Sequence, residues 1–193
     1  VNQDPIEDRL LWLDLETTGL IPEKTVILEI GAAIVSNKFE IIDKFNRVIM
    51  YHVDPPMDDW CRTTHSNSGL LQAIARDGVP LRIAELAICA WLDEHFPDNL
   101  IVTLNNTEKS REGRIILCGT GIHFDRRYIR YHMPLLNEKL HHRMIDVSAA
   151  YYFKKIFGGK EMPEKKKSEQ LEHRALSDVY DSINLSRSLN GQS

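Results

Sequence analysis

Three cysteines, Cys61, Cys89 and Cys118, lie far apart and never in Cys-x-x-Cys spacing, so neither a disulfide framework nor a thiolate zinc site is indicated. They read as free, buried thiols. A run long enough to cross a bilayer is also missing, because the longest apolar stretch, Val26 to Ile34, is interrupted by Glu29. The opening VNQDPIEDRL lacks the basic start and apolar core of a signal peptide. Together these absences lead us to expect a cytoplasmic protein with no membrane partner. Nor is there a basic excess. The chain has 24 Lys and Arg against 28 Asp and Glu, a net charge of -4, which argues against gripping long duplexes by neutralising many phosphates. A short nucleic acid, or none, fits better. There is no internal repeat, and the only low-complexity run is Lys165-Lys166-Lys167.

What is present is ordinary for a folded domain: 193 residues, 42% hydrophobic and 27% charged. We expect a single domain over 1–193, with tails at about 1–8 and 190–193 and a mobile loop at 158–170, where glycines, a proline and the lysine run gather. Arg9–Leu15, Thr25–Val35 and Glu40–Tyr51 read as three strands, the first two buried. Leu70, Leu71, Ile74 and then Leu81, Ala84, Leu86, Ile88, Trp91 and Leu92 recur at helical spacing across a Gly78-Val79-Pro80 break, giving two helices. Asn105–Arg114 is a polar loop or insertion. Beyond it follow a short strand at Ile115–Cys118, a helix from Asp125 stopped before Pro134, a strand at His142–Val147, and helices at Ala149–Phe157 and Arg174–Leu189. The order β-β-β-α-β-α-β-α-α predicts an α/β fold, a mixed sheet with helices on its faces.

Asp14 and Glu16 stand two apart at the end of the first strand, so both carboxylates leave one face. Two crowded anions require a proton or a cation between them. Asp125, after the Gly119-Thr120-Gly121 turn, and Asp178, on the last helix, occupy the strand-end and helix-start positions where α/β sheets place ligands. Oxygen donors suit Mg²⁺ or Mn²⁺. Four carboxylates can hold two ions, roughly 3.5 to 4 Å apart, for in-line displacement at phosphorus. His173, five residues before Asp178, can reach the same site and take a proton near neutral pH.

Taken together, Asp14-Leu15-Glu16-Thr17-Thr18-Gly19, Asp125 and His173-Arg174-Ala175-Leu176-Ser177-Asp178 resemble the histidine-type DEDD 3′-to-5′ exonucleases. Within that superfamily, the segments Met57–Leu70, Cys118–Pro134, His141–Ser148 and His173–Ile183 look most like the oligoribonuclease family, and the likeness runs from about Leu10 to Leu189. The resemblance implies a ribonuclease H-like fold and a homodimer that releases 5′-mononucleotides from short single-stranded RNA. It carries the metal ligands over to Asp14, Glu16, Asp125 and Asp178 and the general base to His173. Leu20 and Trp60 match positions that frame the bases, and Thr17 in the first motif is a further substrate-binding candidate. His65, Arg143 and Ser148 match contacts to the 5′ phosphate. The bland alternatives are core packing for Leu20 and Trp60 and a helix N-cap for Ser148.

The chain also departs from the family. Gly119-Thr120-Gly121 stands where Gly-Asn-Ser is usual, His141-His142-Arg143 where His-Tyr-Arg is usual, and Thr17 where methionine is common. These changes spare the acidic set but touch the parts that limit substrate length. Longer RNA or DNA is therefore the alternative substrate, and a catalytically silent module binding oligonucleotide or protein is the alternative from another class. Arg126 and Arg127 follow Asp125 directly but diverge on a helix.

Overall fold

The computed structural model describes residues 9–51, 55–96, 115–158 and 173–191. The polar segment 105–114, the lysine run, residues 1–8 and 192–193, and the expected mobile loop apart from Gly158 lie outside the described residues.

Strands β1 (Arg9–Thr17), β2 (Ile27–Ser36) and β3 (Ile41–Val48) form an antiparallel meander. After helices α1 (Asp59–Asn67), α2 (Leu70–Asp77) and α3 (Leu81–His95), the chain places β4 (Ile115–Gly119) parallel to β1 and β5 (Leu140–Asp146) parallel to β4. The sheet order is β3-β2-β1-β4-β5. This is the mixed sheet expected from the sequence. Helices α4 (Ile122–His132) and α5 (Pro134–Lys139) connect β4 to β5, and α6 (Val147–Phe157) and α7 (Ala175–Leu189) follow.

All ten residues of β2 are buried, as befits a strand covered on both faces. On one face Leu11, Leu13 and Leu15 of β1 pack with Ile88 and Leu92 of α3 and Ile122 and Ile129 of α4. On the other, Trp12, Ala33 and Val35 pack with Val179 and Ile183 of α7. The two-residue period of β1 therefore puts Asp14 and Glu16 on the α7 face, where the apolar series that begins at Trp12 ends in acid.

Two helices escape the periodicity argument. α1 buries only Cys61 and His65, too thin a stripe to read, and is set instead by Asp58, whose carboxylate accepts from Cys61 N at 2.7 Å. Pro134, read as a stop, also opens α5. The buried Glu85 caps that helix by accepting from Leu135 N at 2.7 Å and Leu136 N at 3.3 Å. The α3 stripe is core at Ala84, Ile88 and Leu92, but Leu86 is exposed: its place in the helical period lies at the rim of the buried face. All three thiols are free and buried as expected. Among the described residues no helix is long and apolar enough to cross a membrane.

Candidate active site

The ends of the central strands β1 and β4 and the starts of α4 and α7 come together at one end of the sheet. Asp14 and Glu16 come from β1, with Gly31 and Glu29 of β2 directly opposite them. Asp125 is in the first turn of α4 and only 4% exposed. Its Oδ1 accepts from Leu15 N at 2.9 Å, which anchors the helix start to the strand end. Asp178 lies in the first turn of α7, and His173 sits just ahead of that helix. One ligand atom from each of Glu16, His173 and Asp178 lies within 4.8 Å of the others.

The charges are unbalanced. Burial pushes the Asp14 carboxyl well above the usual range, helped by Asp125, Asp178, Glu16 and Glu29. Glu16 is pushed to about 8, first by burial and then by Asp178 and Glu29. Asp125 rises to about 7 through burial, against the Leu15 N–H that favours its anion. Asp178 is also raised, chiefly by burial, while His173 acts in the opposite sense. A hard cation binding among these oxygens would displace the protons that the raised carboxyls hold. The donor set fits such an ion, for which Asp14, Glu16, Asp125 and Asp178 could supply the oxygen ligands.

Leu20 and Trp60 are 75% and 70% exposed, which overturns the core-packing alternative for both. Trp60 stands edge-on to His173, with ring centroids 6.2 Å apart. Thr17 hydrogen-bonds through Oγ1 to Gly19 O at 2.8 Å. His65, expected at a phosphate, is 3% exposed. Its Nε2 donates to Thr17 O at 3.0 Å and its Nδ1 lies 3.9 Å from Glu16 Oε2. Burial holds the imidazole below its ordinary pKa, and its bond to Thr17 O ties α1 to the end of β1.

Arg143 is exposed on β5 and Ser148 is in the first turn of α6. The capping role considered for Ser148 belongs to Asp146, whose carboxylate accepts from Ser148 N, Ala149 N, Gly121 N and His123 Nδ1. Gly121 and Ser148 therefore meet around one carboxylate. Gly121 has φ +66°, with nothing near the place a Cβ would take, so a serine there has room but a strained backbone. The arginines diverge as expected: Arg126 is buried and Arg127 exposed.

Sequence reasoning missed Asp146, Glu29 and the use of Arg174. Glu29 is 0% exposed. Arg174 Nη2 donates to its Oε1 at 2.7 Å, and Ala175 N to its Oε2 at 3.1 Å. The available signal was the single charge in the run Val26–Ile34, because a carboxylate in a buried strand demands partners.

This architecture defines a class. It matches the crystal structure of E. coli Exonuclease I in complex with a 5cy-dA13 oligonucleotide at a TM-score of 0.61 and 17% identity, covering 97% of this chain and 41% of that one. An Exonuclease I from Methylocaldum szegediense matches at 0.63 and 17%, over 96% and 41%. The chain thus spans about two fifths of those proteins, with which it shares the ribonuclease H-like exonuclease fold. Residues 11–77 match the exonuclease family RNase_T. Relatives narrow the assignment: the oligoribonuclease of Ectopseudomonas mendocina is 31% identical over 91% of both chains, and that of Corynebacterium diphtheriae 34% identical over 93% of this chain and 80% of its own. The chain belongs to the oligoribonuclease family of 3′-to-5′ exonucleases.

Proposed function

We propose that the protein is a single-domain, divalent-cation-dependent exonuclease that releases 5′-mononucleotides from the 3′ end of short single-stranded RNA. The observation that carries this reading is the grouping of Glu16, Asp178 and His173 next to Asp14 and Asp125, with the proton affinities of all four carboxyls raised chiefly by burial. Two Mg²⁺ or Mn²⁺ ions held by these carboxylates would supply Lewis-acid activation and neutralise the charge of the phosphoryl group. His173 takes the proton of the attacking water. The water oxygen bonds to phosphorus as the P–O3′ bond breaks, and the departing 3′ oxygen of the shortened strand acquires a proton. Trp60, exposed and edge-on to His173, is suited to stacking against a terminal base, and the exposed Leu20 to packing against its neighbour. Thr17, bonded through Oγ1 to Gly19 O, shapes the turn that leads to Leu20, His65 ties α1 to the end of β1 through Thr17 O, and Arg143 with Ser148 provides donors for a 5′ phosphate.

A homodimer is part of this reading. α6 exposes Phe153, Ile156 and Phe157, with the two phenylalanine rings 5.1 Å apart. Such an apolar patch suits a second copy. A broader reading, with longer RNA or DNA accepted, is favoured by Gly121, which offers no hydroxyl at the turn beside Ser148.

The test is release of 5′-mononucleotides in Mg²⁺ and in Mn²⁺ from RNA and DNA of two, five and twenty nucleotides. Preferential loss of the RNA two-mer is expected, and Asp14→Ala should abolish turnover. Full activity of that variant would refute the assignment. Equal rates on all strands would support the broader reading.

A further inference from the structure

Glu29 adds a negative charge where the molecule already has too many. It stands opposite Glu16 in the antiparallel register of β1 and β2, so its side chain leaves the sheet on the same face. It is among the groups that raise the proton affinity of Asp14 and Glu16. A carboxylate that works against its neighbours in this way needs a compensating role.

That role is visible at the start of α7. The Arg174 fork closes on both oxygens of Glu29, with Nε 3.2 Å from Oε1 and 3.0 Å from Oε2, and Nη2 2.7 Å from Oε1. Ala175 N, the first amide of α7, donates to Oε2 at 3.1 Å, and Asn46 Nδ2 donates to Oε1 at 3.1 Å. Arg174, at the N-cap position, makes no capping bond with its own side chain. Glu29 therefore caps the helix from a distant strand, and its charge faces the positive end of the helix dipole. Gly31 leaves room for this approach, since a Cβ there would lie 2.4 Å from the Ala175 carbonyl carbon and the Leu176 nitrogen. The residue immediately before Arg174 is His173.

We propose that Glu29 is a positioning residue for His173: its clamp on Arg174 and Ala175 fixes the backbone from which the imidazole projects toward Glu16 and Asp178. This rests on the proposed function, in which His173 is the base. Asp178 is less dependent on the clamp, because Val179 and Ile183 bury the body of α7 against the sheet. His173 lies outside the helix. Arg174 also balances the Glu29 charge, so Glu29 is occupied and does not compete for the cation.

The experiment compares wild type, Glu29→Gln, Arg174→Lys, His173→Ala and the double variant Glu29→Gln/His173→Ala on the same RNA at saturating Mn²⁺. His173→Ala should lower kcat by roughly 10² to 10⁴. Glu29→Gln keeps the shape and one acceptor but loses the charge. It should lower kcat at saturating Mn²⁺ by on the order of 10²-fold, the scale of a small misplacement of a reacting group, with KM nearly unchanged. Arg174→Lys, with charge but no fork, should fall between that variant and wild type. The double variant should be no slower than His173→Ala alone, since a residue acting through the imidazole has nothing left to position. A purely structural role would not produce this pattern: losses that multiply, or a Glu29→Gln defect confined to KM or to the Mn²⁺ requirement, overturn the positioning role and leave His173 as base intact. Full activity in His173→Ala removes both. If Glu29→Gln does not fold, Arg174→Gln, alone and with His173→Ala, provides the same comparison.

Discussion

Glu16 and Asp125 carry the clearest consequences at the scale of single residues. In an unfolded chain both carboxyls lose their protons near pH 4, whereas in the fold they hold them to about 8 and about 7. Between those limits the folded state binds more protons than the unfolded one, so stability should fall as pH rises through that window. A melting series in EDTA from pH 5 to pH 8 should show Tm declining, and Mn²⁺ should restore more at pH 8, where fewer protons compete with it. Glu16→Gln removes one titrating group and one repelling charge. It should melt higher than wild type at pH 8 without metal, by on the order of 5 °C, while losing nuclease activity. A flat Tm profile would mean that these carboxyls ionise normally.

At the scale of elements, the site depends on how closely α7 lies against β2. Gly31 permits that contact through what it lacks. Gly31→Ala should destabilise the fold by about 1–3 kcal/mol, the usual cost of an extra carbon in a packed contact, and should also reduce activity because α7 carries Asp178 and adjoins His173. Urea unfolding with a turnover assay measures both, and unchanged values would show that the helix can shift without consequence. The strands and long helices were legible in advance, because their apolar residues recur at periods of two or 3.6. α1 and α5 were not. Their boundaries are set by Asp58 and by the distant Glu85, and a cap supplied from another helix leaves no local trace.

For the whole molecule, the exposed face of α6 argues for a second copy. Wild type should sediment as a dimer at micromolar concentration, and a double Phe153→Asp/Phe157→Asp variant as a folded monomer. A wild-type monomer would remove the dimer from the proposal. The acidic cluster needs no partner, because every residue in it comes from one chain. Activity on longer strands should thus survive dissociation better than preference for the two-mer, measured on the same length series.

The sequence by itself determined the mixed sheet and the shared face of Asp14 and Glu16, which follow from the order of elements and from side-chain alternation, while the ordered set with Asp125, His173 and Asp178 was legible through its resemblance to the family. Tertiary structure alone decided that Trp60 and Leu20 are exposed, that His65 turns inward to Thr17 and Glu16, that Asp146 rather than Ser148 caps α6, and that Glu29 holds the start of α7. The inward turn of His65 and the hold of Glu29 on α7 depend on contacts between residues far apart in the chain, whereas Asp146 caps a helix that begins beside it, and the exposure of Trp60 and Leu20 depends on what the fold leaves uncovered. Neither periodicity nor composition encodes which distant donor a buried acceptor will find.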